Sequence, residues 1–118
     1  MRIRARQMEA LESAALDEFV DEICAHLRAT LPQKTQGAKG SELQGAVRRA
    51  IDQCRGFEIE ERFDLQLYLT IVFELDYLTH GEATVDWARH FLVDPGIPAA
   101  DKVNRLEGEA MLLGRLKR

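Results

Sequence analysis

Between Phe63 and Leu78 the chain reads FDLQLYLTIVFELDYL. A helix lying on a protein surface carries apolar residues on one side only, and this run carries them nearly all round, so it must be covered from several directions. It is no membrane span, which needs about 18 uncharged apolar residues, because Asp64, Glu74 and Asp76 interrupt it. Thr70, Ile71 and Val72 are β-branched and would suit a strand, but the length of the apolar stretch and the absence of turn residues favour a helix. The pattern predicts a central helix from about Glu60 to Thr79, ended by Gly81, with other helices packed around it.

Those other helices are visible on both sides. Met8, Leu11, Ala15, Phe19, Ile23, Leu27 and Leu31 recur every three or four residues, placing one apolar face along a helix from Gln7 to Leu31 that Pro32 stops. Residues 32–40, PQKTQGAKG, read as an exposed, mobile loop whose tip suits proteolysis. Ser41 is the expected N-cap of the next helix, with Leu43, Val47, Ala50, Ile51 and Cys54 as its buried stripe and Gly56 near its end. On that helix Arg48, Arg49 and Arg55 should face solvent or a partner. A short helix, Val85 to Leu92, is closed by Pro95 and Gly96. Pro98 fits the first turn of a last helix running to about Leu116, with Val103, Leu106, Ala110 and Leu113 on one side. The expected fold is all-α: residues 1–118 form one compact bundle of four main helices plus one short helix.

Composition narrows the function classes. A chain of 118 residues, 46% apolar and 31% charged, has the makeup of a single globular domain rather than a disordered chain. Its net charge is −4, with acids concentrated at Asp17, Glu18, Asp21 and Glu22 and again from Glu58 to Glu61, so Arg48, Arg49 and Arg55 make only a local basic patch. That balance argues against nucleic acid, whose binders carry a basic stripe. Cys24 and Cys54 sit where small apolar residues would serve and are expected as buried thiols, since two cysteines are no disulfide framework. The amino-terminal segment lacks an uninterrupted apolar region, being broken by Glu9, Glu12 and Asp17, and a cytoplasmic address is expected.

Chemistry-bearing patterns are few. His80, Glu82, Asp86 and His90 lie close in sequence, with Asp86 and His90 at i, i+4, but a zinc site needs three or four ligands and a second shell, and solvated helix pairs account for the same residues. Glu22 and His26 make a similar surface pair. GAKGS, residues 37–41, lacks the spacing of a phosphate loop and follows a helix where a strand should be. No nucleophile stands with a base and an orienting acid, so no catalytic, cofactor or metal residue is expected. Trp87 and Phe91 either lock a short helix onto the core or form an exposed apolar anchor for a protein partner. On the second alternative the partner-binding residues are Trp87, His90, Phe91 and Tyr77.

Five marks in order carry a family resemblance. They are Q-M-E-A-L followed by acidic and aromatic residues (Gln7 to Phe19), H-L-R-x-x-L-P (His26 to Pro32), R-A-I followed by G-F-E-I-E (Arg49 to Glu60), an apolar helix, and W-A-R-H-F-L with D-P after it (Trp87 to Pro95). With these marks the chain resembles small helical bacterial proteins encoded beside type VI secretion genes, near the spike protein VgrG, PAAR-tip proteins and toxic effectors. Leu78 to Ala83 departs from that pattern. The resemblance implies a cytoplasmic accessory, adaptor or chaperone-like, that holds or loads a spike, tip or effector protein and needs no catalysis. Two alternatives stand beside it. One is an immunity protein whose acidic surface suits a basic toxin; the other is a small enzyme using surface carboxylates, which requires acids clustered in a pocket. A homodimer is also compatible with an apolar helix left uncovered in so small a domain.

Overall fold

The computed structural model describes residues 5–116, with side chains described from residue 14 onward. Four helices of thirteen residues or more organise it: α1 (Ala5–Thr30), α3 (Gly40–Gly56), α4 (Arg62–Glu74) and α7 (Ala99–Leu112). Single helical turns, α2 (Pro32–Thr35), α5 (Tyr77–His80) and α6 (Arg89–Leu92), join them, with a 3-10 segment over Gly81–Ala88 between α5 and α6. No strand occurs among the described residues. The all-α class is therefore as expected, but the minor elements number four rather than one.

α1 and α3 run antiparallel. Arg48 pairs with Asp17, and one turn earlier in α3 and later in α1 the Gln44 amide donates to Asp21 Oδ1 at 3.2 Å. Phe19, Ile23 and Leu27 of α1 meet Leu43, Val47, Ala50, Ile51 and Cys54 of α3 in the core, as their spacing requires. The first members of the α1 stripe, Met8 and Leu11, lie outside the described side chains. Cys24 and Cys54 are free thiols, the first half-buried and the second buried.

α4 touches α1, α3, α5 and α7, which explains its apolar girth. Leu65, Tyr68, Leu69, Ile71, Val72 and Phe73 are all buried. The helix does not reach Thr79. Leu75 caps it, and Asp76 adopts the left-handed region at φ 71°, where the chain turns before α5. Its carboxylate is fixed there by the Lys34 ammonium at 2.8 Å. Gly81, at φ 58°, then ends α5.

The expected exposed loop over 32–40 contains α2, with Pro32 at its first position, where a missing N–H has no consequence. Thr35 is buried, and the Arg28 guanidinium of α1 donates to the carbonyls of Thr35, at 3.1 Å, and Ala38, at 2.8 Å. Ser41 is not the cap of α3. Lys39 holds that position, and its N–H donates to the Glu42 carboxylate at 3.3 Å.

α3 ends in a Schellman turn, in which the Ile59 N–H reaches back to Cys54 O and the Glu58 N–H to Arg55 O. Glu58 occupies the left-handed position normally given to glycine, at φ 65°. The free carbonyl of Phe57 accepts from the Lys102 ammonium of α7 at 2.8 Å, so a fully buried cation sits where a helix C-terminus favours one. α7 closes the same way, with Gly114 at φ 72°, but earlier than expected, and Leu113 is exposed rather than packed.

Candidate functional site

Four surface features could meet a ligand, and the four residues expected to bind a partner do not gather in any one of them. Tyr77, at the start of α5, is 1% exposed, its ring 5.2 Å from that of Phe73. No described protein group is within hydrogen-bonding reach of its hydroxyl. Phe91 is also buried, under the Arg105 guanidinium at 4.4 Å, with the exposed His90 ring edge-on to it at 5.3 Å. Trp87 is half-buried; its indole N–H donates to Thr84 O at 3.0 Å, and the Arg115 guanidinium lies 5.5 Å from its ring. Trp87 and Phe91 thus form no joint exposed apolar patch. Trp87 instead lines a polar cleft of about 430 Å³ with Lys34, Asp76, His80 and Arg115.

A larger concavity lies elsewhere, between the end of α1, α2 and the outer side of α4. It is a groove of about 690 Å³ that includes His26, Leu31, Pro32, Phe63, Leu67 and Thr70 in its lining. Phe63 is 75% exposed, although it opens the apolar run. The signal for this was present in the sequence: Gln66, Thr70 and Glu74 follow it at i+3, i+7 and i+11, a polar stripe marking the outward side of α4. The stripe is masked in the sequence because the residues between its members are so apolar.

A third feature is electrostatic. Glu58, Glu60, Glu61 and Asp64 surround a cleft of about 390 Å³ closed by Pro98, Ala99 and Ala100 at the start of α7. The acidic link between α3 and α4 was visible in the sequence; its junction with Asp64 and α7 depends on tertiary packing. Met111, Leu112 and Leu113 form a further exposed apolar strip, with Leu112 88% exposed.

Chemical reactivity is muted in the interior. Burial pushes the Cys54 thiol far above its usual range, and the Asp64 carboxylate adds to the rise. Burial likewise raises the Tyr68 hydroxyl, which donates weakly to Gln53 Oε1 at 3.4 Å. Cys24 is raised by burial and then by the charge of Asp21. Both effects disfavour a thiolate nucleophile. Among the described residues no three His, Cys, Asp or Glu side chains are placed to hold a metal ion; Asp86 lies 3.8 Å from Arg89, its i+3 neighbour.

No protein-family model matches the chain, and neither a curated protein nor a solved structure shows significant similarity to it.

Proposed function

We propose that the chain is a non-catalytic protein-binding accessory, an adaptor or chaperone-like factor for a type VI secretion spike, tip or effector protein. The observation that carries the binding part of this reading is Phe63, a large aromatic side chain 75% exposed at the edge of a groove of about 690 Å³. Aromatic anchors of this kind supply much of the energy of protein association when a partner covers them. His26, Leu31 and Pro32, part of the sequence mark H-L-R-x-x-L-P, line the same groove. The secretion context rests on the marks themselves, and action before export places the protein in the cytoplasm.

The acidic cleft supplies the clustered carboxylates that a small enzyme would require. Its lining, however, adds only proline and alanines to them, with no hydroxyl, thiol or imidazole to share the chemistry. An immunity role draws on the same acids, which would suit a basic toxin.

Affinity purification of the tagged full chain from its bacterial host tests the proposal. A spike, tip or effector protein should be recovered, and Phe63→Ser should reduce its recovery while leaving the helical circular dichroism intact. Recovery of no such component overturns it. Rescue of cells expressing a captured toxin would assign the immunity role instead.

A further inference from the structure

We infer that the cleft bounded by Glu58, Glu60, Glu61 and Asp64 receives an arginine or lysine side chain of the protein partner; this rests on the protein-binding reading above. Asp64 is the deciding residue. It is 8% exposed, yet no hydrogen bond or ion pair to its carboxylate occurs among the described residues. Its place in the first turn of α4 lets the helix N-terminus ease the burial of that charge. Three further carboxylates line the same cleft.

Two neighbouring cations are engaged elsewhere. Arg62 is engaged with Glu22 and lies over the Phe19 ring at 5.2 Å. Lys102, one turn into α7, turns its ammonium inward to Phe57 O. The cleft is therefore lined by four carboxylates, one of them on a largely buried residue that opens only towards the cleft, an arrangement stabilised when a cation enters. A guanidinium fits best, because its planar fork gives two charge-assisted bonds to one carboxylate and leaves donors for a second.

Titration of a hexa-arginine peptide into the ¹⁵N-labelled full chain at low ionic strength tests the site. Amide shifts should centre on residues 58–64 and 99–102, and both Asp64→Asn and the double variant Glu60→Gln/Glu61→Gln should weaken binding about tenfold, whereas Glu18→Gln should not. Glu60 and Glu61 are exposed, so the double variant carries the test if Asp64→Asn does not fold. Equal affinity for wild type and both cleft variants overturns the inference. So do shifts at the same amides with calcium chloride that block the peptide, since the cleft would then be a metal site. Host capture separates the two levels: a partner recovered equally by wild type and double variant sinks the cleft assignment alone, while no partner recovered by wild type sinks the protein-binding reading.

Discussion

Glu58 and Lys102 show how single residues hold the end of α3. Glu58 takes a left-handed conformation that an L side chain adopts at a cost, because no glycine stands at that step of the Schellman turn. Glu58→Gly removes the steric cost but gives the unfolded chain more freedom, and the balance should stabilise the protein by about 0.5–1 kcal/mol, read as a higher urea midpoint at unchanged m-value. Lys102 buries a long stem and bonds the Phe57 carbonyl. Lys102→Ala leaves a cavity and an unpaired carbonyl and should cost about 2–4 kcal/mol, whereas Lys102→Met, which keeps the packing, should recover more than half of that loss. Neither residue's role is legible in the sequence. A glutamate carries no signature of positive φ, and a lysine at a helical position is ordinarily read as exposed.

At the scale of elements, hydrophobic spacing located the long helices well and their breaks poorly. The stripe from Leu43 to Cys54 is buried throughout because period alone selects the face. The break at Asp76 escaped notice, since Leu75, Tyr77 and Leu78 continue the apolar pattern across it; a backbone turn held by Lys34, 42 residues away, leaves no local trace. The same holds for α2. Its polar composition reads as a loop, while Arg28 ties down the carbonyls of Thr35 at its end and Ala38 just beyond it from a neighbouring helix. Arg28→Ala should therefore raise hydrogen exchange over residues 33–39 and speed tryptic cleavage after Lys39, with a global loss of only about 1 kcal/mol. Unchanged exchange there would mean that the two bonds do not order the segment.

Over the whole molecule, the interior keeps protons that the unfolded chain releases. Cys54 and Tyr68 have folded pKa values raised above their ordinary 9.0 and 10.0, chiefly by burial. Their contribution to stability is whole below those values and falls as pH rises past them, by about 1.4 kcal/mol per pH unit for each group. Urea midpoints should decline from about pH 9 upward, and Tyr68→Phe should flatten the part that begins near pH 10. The surface is less legible than the core. The groove at Phe63 and the junction of Asp64 with α7 both arise from how helices meet, whereas the acidic link from Glu58 to Glu61 was plain in sequence. The role proposed for this fold is to load a protein for export by binding it. Deleting the gene and measuring the captured component in the culture medium tests that role: export should be lost, be restored by the wild-type chain and fail to be restored by Phe63→Ser, whereas undiminished export from the deletion strain would overturn the proposed loading role.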